Sequence, residues 1–414
     1  MQNRKQPAPP ASRPFEVWYY FGPAFVASVA YIDPGNFAAN IEAGSAFGYQ
    51  LLWVLFWSNL MAILVQYLSA KLGVATGLTL PQNCRRHFPR WLNYMLWVVA
   101  EIAAMATDLA EFLGAALGFY LLFHIPLGVA GLLTGVVVFA ILAVERAGFR
   151  RLEYVIIAFV VVVGVAYAVE MVLARPDWAA MGRHLIVPEV SSASIYLAVA
   201  MLGATVMPHV VYLHSALVLP RRAELGAAHN HRHRRLVLAD VLLAMNGAWL
   251  INSAMVVMAA AVFFQNRVAV QSMVDAHQTL IPLLGGAAAT TFAIALLCSG
   301  LASSTVGTMA GQVIIEGFLK IRFSIFLRRL ITMVPAMAVI VVGLEPMKIL
   351  VLSQVCLSFC LPFAVVPLVA LTWRRTVMGE LANRPLINVL ALATASIVIV
   401  LNALLLYQVL GGRF

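Results

Sequence analysis

Apolar residues in this chain fall in runs of about twenty, the length a helix needs to cross the hydrocarbon core of a bilayer. Eleven such runs predict spans at roughly 18–46, 51–73, 91–119, 125–144, 151–173, 191–219, 236–264, 286–317, 327–344, 348–372 and 387–410. The pattern predicts an all-α polytopic membrane protein. Two runs are interrupted at their centres. The first span contains Asp33-Pro34-Gly35-Asn36, and the sixth contains Gly203-Ala204-Thr205-Val206-Met207-Pro208-His209. Proline removes a backbone donor and glycine weakens a helix, so each motif predicts a broken helix at membrane depth. The breaks lie 170 residues and five spans apart. An odd number of crossings points the two broken helices in opposite directions, the pattern of an inverted repeat with its substrate site at the midplane. Residues 18–173 (spans 1–5) then form one repeat and 191–372 (spans 6–10) the other. An eleventh span at 387–410 falls outside the repeat and is expected to pack peripherally, and residues 1–17 read as a disordered cytoplasmic tail.

Composition supports the membrane class. Only 11% of the 414 residues are charged and 63% are hydrophobic, against about 25% charged in soluble domains. The formal charge of +10 raises a nucleic-acid reading, but its placement argues otherwise. With the N-terminus inside, 22 of the 27 Lys and Arg residues fall on cytoplasmic segments. That bias predicts a cytoplasmic N-terminus and an extracytoplasmic C-terminus. The basic charge is a topology signal and a contact for anionic lipid in a plasma (inner) membrane; no nucleic-acid partner and no obligate protein partner is expected. A cleavable leader ending at Ser28-Val29-Ala30 would satisfy a small-x-small rule, but cleavage would leave the Asp33 break without its preceding half-helix. The four cysteines, Cys84, Cys298, Cys356 and Cys360, contain no C-x-x-C pair and read as buried thiols, with no disulfide expected.

A carboxylate at membrane depth costs about 3 kcal/mol on insertion scales and marks a functional site by default. The first break supplies oxygen donors, Asp33 and Asn36, and the second supplies the thioether of Met207. Unwinding also frees backbone carbonyls, most plausibly those of Ala30 and Ala204. Oxygen alone suits hard ions; a soft sulfur shifts preference toward later divalent metals without adding charge.

Asp-Pro-Gly-Asn in the first span and Met-Pro-His in the sixth resemble the signature motifs of the Nramp family of divalent-metal transporters. The resemblance extends to Ala106-Thr107-Asp108-Leu109-Ala110-Glu111 and Val210-Val211-Tyr212-Leu213-His214-Ser215, and to nearly the whole chain. It implies a LeuT-like fold, with broken helices 1 and 6 and one extra helix, and proton-linked uptake of Mn²⁺ or Fe²⁺, with Co²⁺, Cd²⁺ and Zn²⁺ as further substrates and no permanently bound cofactor. It also implies Asp33, Asn36 and Met207 as metal ligands, the carbonyls of Ala30 and Ala204 as state-dependent ligands, and Gln354 as a polar group that approaches the metal when the site is occluded.

Three acids, Glu101, Asp108 and Glu111, are spaced by seven and three residues on span three, which stacks them on one helix face. Such a stripe suggests a proton path or a water-lined cavity, or else a structural ion-pair network. Arg328 and Arg329 at the start of span nine are the candidate counter-charges, one of them partly buried. The family pattern supports an Asp–Arg pair and proton transfer through Asp108. His209, directly after the break, could relay or sense protons; His214 reads as structural. His229, His231 and His233 read as a solvated basic loop, and Asn252, Ser303, Ser304 and Thr305 as helix–helix polar contacts. A sodium-coupled amino-acid carrier of the same fold would offer small residues and free helix N-termini instead of Asp and Met. A passive metal channel would lack alternating half-helices. A membrane protease using Asp33 and Asp108 lacks the expected motif surroundings, so no enzyme is expected.

Overall fold

The computed structural model describes residues 22–145, 149–189, 191–225, 230–268 and 270–410. The expected tail over 1–17 and His229 lie outside them. Among the described residues all regular structure is helical. The first span is split into α1 (Pro23–Ala30) and α2 (Pro34–Phe47), followed by α3 (Leu52–Thr76) and a short α4 (Leu80–His87). Then come α5 (Arg90–Phe123), α6 (Leu127–Glu145), α7 (Phe149–Ala174) and a short α8 (Trp178–His184). The sixth span is split into α9 (Ile195–Thr205) and α10 (Pro208–Leu217), with α11 (Leu219–Leu225) behind it. The remainder is α12 (Asn230–Ala259, continued by a π turn at Ala260–Phe264), α13 (Met273–Leu284), α14 (Gly286–Leu319), α15 (Ile325–Val342), α16 (Pro346–Trp373), α17 (Arg375–Met378) and α18 (Pro385–Val409).

Within the described residues each predicted span overlaps a long helix or a split pair. Length and apolarity alone, however, qualify eight helices as crossings, or nine if the pair Arg90–Phe123 and Leu127–Ala143, bent by 117°, counts as one. The expected eleven is not reached on that basis. Neither half of the first span is long enough by itself, because the break divides it. The backbone of His231 and His233, expected in a loop, belongs to the first turn of α12.

The two breaks have one chemical cause. In a helix the carbonyl of residue i accepts from the N–H of i+4. The residue four beyond Ala30 is Pro34, and the residue four beyond Ala204 is Pro208; neither has an N–H to give. Each proline then starts the next half-helix at its first position, where its missing donor costs nothing. Asp33 caps α2 in an extended conformation, and Met207 occupies the same place before α10.

Burial sorts the bundle into centre and periphery. Of the apolar window at Ile195–Arg222, 94% is buried; for α18 the figure is 33%. The sixth span is therefore central and α18 peripheral. α14 lies against α5 and α7, α16 against α5 and α9, and α12 against α2 and α3. Helix packing in lipid depends on close approach between small residues. At Gly300 a Cβ would run into the backbone of Ala115, so glycine sets the α5–α14 distance.

Polar contacts gather the loops into two ends. At one end Lys71 Nζ donates to Asn383 (2.7 Å), Arg222 Nε to the Val74 carbonyl (2.6 Å), Arg85 to the Gly317 carbonyl, and Arg374 lies over the Phe88 ring. At the other, Trp53 and Trp57 donate to the carbonyls of Glu189 and Ile186, and the Asp177 N–H donates to the Tyr49 hydroxyl.

Candidate functional site

At the first break Asp33 is fully buried. Its Oδ1 accepts from the Asn36 backbone N–H and from Asn36 Nδ2, both at 2.8 Å, and its Oδ2 accepts from Gln354 Nε2 at 3.3 Å. Asn36 Nδ2 also donates to the Ala204 carbonyl at 3.1 Å, the oxygen that Pro208 leaves without a helical donor. One hydrogen-bonding shell thus joins the first break, the second break and the tenth span. Gln354 reaches this shell because residue 35 is glycine; a Cβ there would occupy the space of the Gln354 carboxamide. Asn36 Oδ1 and Gln354 Oε1 are buried and have no partner among the described residues.

The other carbonyls at the first break are claimed by neighbours. Asn252 Nδ2 donates to the Tyr31 carbonyl at 2.6 Å, and the Ser299 hydroxyl donates to the Ile32 carbonyl. Asn252 therefore has a specific task at the break, beyond a generic helix–helix contact. The near end of α1 is also tethered. The N–H groups of Gly22 and Ala24 donate to the Asp240 carboxylate at 3.1 and 2.9 Å, a cap supplied from α12 because α1 carries no side-chain cap of its own.

At the second break Met207 and His209 are fully buried. The Thr107 hydroxyl donates to the Ala103 carbonyl (3.0 Å) and its oxygen lies 3.1 Å from His209 Nδ1. With the single hydroxyl proton committed to Ala103, His209 Nδ1 must donate to Thr107, which leaves Nε2 as a free acceptor. Nε2 has no partner among the described residues. The same bookkeeping applies to His214. Its Nδ1 faces Gln66 Oε1 at 3.0 Å, and Gln66 Nε2 donates to the Tyr31 hydroxyl at 2.7 Å, so Nδ1 is the donor. A buried relay of side chains therefore joins α10, α3 and the end of α1.

The three acids of α5 part company. Asp108 is held by Arg329 at 2.6 Å, with Arg328 at 3.8 Å, while Arg328 lies 3.5 Å from Glu101. Arg329 also donates to the Ser304 hydroxyl. Both arginines are buried, at 3% and 1% exposure, where only one was expected to be and that only in part. Such burial is tolerable because each guanidinium faces carboxylate or hydroxyl oxygen. Glu111 is fully buried, neither of its oxygens meets a donor in hydrogen-bond geometry among the described residues, and Ser303, Asp108, Arg329 and Asp33 are its polar neighbours. The structure thus brings together Asp33, Asn36, Ala204 and Gln354 in one group, and Glu101, Asp108, Arg328, Arg329 and Ser304 in a second. Ala30, the last residue of α1, and Met207, the cap before α10, are buried without a polar contact to either group.

Sequence reasoning missed Gln66, Thr107, Asp240 and Ser299. An intramembrane acid at Asp240 was visible in the apolar run and could have been weighed; the partners of the others lie 35 to 267 residues away and leave no local signal. Among the described residues no group of three or more His, Cys, Asp or Glu side chains could hold a metal ion. The polar shell at the breaks is built from one carboxylate, two amides and a backbone carbonyl.

Two broken helices meeting at one buried polar shell, inside a bundle of apolar spans, define a polytopic membrane transporter. The profile of the family "Natural resistance-associated macrophage protein-like" (Nramp) matches residues 24–408. This chain belongs to the Nramp family. It is 50% identical over 395 residues to a "Divalent metal cation transporter MntH" of Caldanaerobacter subterraneus, covering 95% of this chain and 94% of that one. It is 51% identical over 394 residues to a protein of the same description from Deinococcus radiodurans, covering 95% and 90%. A crystal structure of the Eremococcus coleocola manganese transporter superposes with a TM-score of 0.85 at 33% identity, covering 95% of this chain and 87% of that one. MhsT, solved in complex with L-phenylalanine, shares only the fold, with a TM-score of 0.59 at 12% identity, as expected for a LeuT-like architecture.

Proposed function

We propose that this chain carries divalent transition-metal ions, Mn²⁺ and Fe²⁺ first among them, into the cytoplasm together with protons by alternating access. The observation that supports this most is the shell at the breaks: Asp33 Oδ1, the Ala204 carbonyl and the Asn36 amide within one hydrogen bond of a common point. The protons of Asn36 Nδ2 occupy the place where a cation would sit. A half-turn of that amide replaces two donors by Oδ1, the oxygen that now lacks a partner. Asp33, Asn36 and the freed carbonyls of Ala30 and Ala204 would then face the ion, with the Met207 thioether favouring a transition metal over Ca²⁺ and Gln354 closing the shell. A nearby cation favours the charged form of a carboxyl, so metal arrival drives a proton off Asp33. Glu111 and the Asp108–Arg329 pair offer it a path inward, and the free Nε2 of His209 offers a second acceptor. MhsT shares this fold and binds L-phenylalanine, but a carboxylate at the first break and a thioether at the second suit a cation and would repel an amino-acid carboxylate.

The test is Mn²⁺ uptake into proteoliposomes. Asp33→Ala should lose saturable uptake altogether; uptake at the wild-type rate in that variant removes the core of the proposal. Uptake in the wild type should rise as the outer solution is acidified.

A further inference from the structure

A separate cavity of about 200 Å³ opens at the end of the bundle where Lys71 meets Asn383. Its lining includes Lys71, Arg234, Arg235 and Arg384, with Leu238 and Ile387 on its margin. Among the described residues no carboxylate lines it, and none of the four cations takes part in an ion pair.

One cation of the cluster is set inside the fold, while Arg234 is half-buried and Arg235 and Arg384 are exposed. Lys71 is only 2% exposed. Its ammonium is held by Asn383 Oδ1, and Asn383 Nδ2 is in turn anchored on the Thr372 hydroxyl at 3.1 Å. The Tyr67 ring lies 5.8 Å from Lys71 Nζ. Three elements converge here: α3 brings Tyr67 and Lys71, α12 brings Arg234 and Arg235, and Arg384 is the cap residue of α18. That helix is 25 residues long, starts with Pro385 and has no side-chain cap, so its positive end and unpaired N–H groups add to the same field. A buried ammonium beside one half-buried and two exposed guanidinium groups concentrates positive charge that an anion would relieve.

We propose that this pocket binds a phosphate group. Three guanidinium forks, one ammonium and a helix N-terminus match a tetrahedral, multiply charged oxyanion better than a single carboxylate. The apolar margin at Leu238, which is 38% exposed, favours the phosphate of an anionic phospholipid whose chains lie against α12 and α18. Such pockets between spans recognise acidic headgroups. Bound there, the phosphate would tie α18 to α3 and α12.

The full-length protein, stripped of lipid in neutral detergent, is titrated with dioleoylphosphatidylglycerol, dioleoylphosphatidylcholine and inorganic phosphate. Native mass spectrometry counts bound molecules, and the thermal transition is followed in parallel. One phosphatidylglycerol should bind per chain, with phosphatidylcholine binding at least tenfold more weakly. Saturable binding of inorganic phosphate instead would assign the same site to a soluble phosphate. Arg234→Gln and Arg384→Gln should each weaken binding roughly tenfold or more, since each removes a charge-assisted contact. Arg322→Gln, an exposed cation elsewhere, should leave it unchanged. Equal binding of both lipids with no phosphate binding, or affinity unchanged in the Arg234→Gln/Arg384→Gln double variant while its thermal transition stays cooperative, overturns the proposal.

Discussion

At the scale of single residues, the site is a set of oxygens whose ordinary partners have been removed. Pro34 and Pro208 leave the Ala30 and Ala204 carbonyls without helical donors, and burial denies Asp33 water. Asp33, Asn36 and Met207 stood out in the sequence as candidates because a polar or sulfur-bearing residue beside a break proline is conspicuous in an apolar run; the structure joins Asp33 and Asn36 in one shell and leaves Met207 beside it. The carbonyls were legible by the same rule, since the proline four residues on names the acceptor it deprives. Asn252, Ser299 and Gln66 were not legible as parts of the site, because long-range contacts settle their roles. Met207 carries the sharpest residue-scale prediction. Oxygen ligands hold Mn²⁺ and Ca²⁺ alike, whereas sulfur favours the softer ion. Met207→Ala should therefore keep much of the Mn²⁺ uptake while Ca²⁺ becomes a competitor. Competition of Ca²⁺ against Mn²⁺ uptake in proteoliposomes reads this directly; a variant that rejects Ca²⁺ as well as the wild type does would remove sulfur from the selectivity argument.

At the scale of elements, the two half-helices of the first span are held quite differently. α2 is capped by its own Asp33 and packs on α12, α16 and α9. α1 has eight residues and no cap of its own; Asp240 on α12 supplies one to Gly22 and Ala24. Seven of the eight residues of α1 are buried against neighbouring helices, so the Asp240 cap holds its start and packing holds the rest. Losing a helix cap costs about 1 kcal/mol. Asp240→Ala should thus raise amide hydrogen exchange roughly fivefold over Pro23–Ala30 and leave α2 unchanged, and exchange mass spectrometry resolves the two. Unchanged protection of α1 would show that packing, and not the cap, holds it. The breaks themselves were legible because proline and glycine act locally. The short helices α8 and α13 were not anticipated, because apolar periodicity says little about connecting segments of seven to twelve residues.

At the scale of the whole molecule, the distribution of basic residues and the contacts between loops agree. The segments around 71–90, 221–235, 316–322 and 374–384 carry most of the Lys and Arg residues of the described chain, and they meet at one end through Lys71–Asn383, Arg85–Gly317, Arg222–Val74 and Arg374–Phe88. The aromatic contacts of Trp53, Trp57 and Tyr49 close the other end. Because Lys and Arg are retained on the cytoplasmic side, the basic end should face inward. Single added cysteines test this without removing native ones. Cys298, Cys356 and Cys360 sit within apolar spans, and burial pushes the Cys84 thiol well above its ordinary range, so it stays unreactive. A charged, membrane-impermeant maleimide applied to intact cells with an accessible outer face should label Arg183→Cys at once. It should reach Arg322→Cys only after the membrane is permeabilised. The opposite pattern would invert the molecule and place the basic end outside.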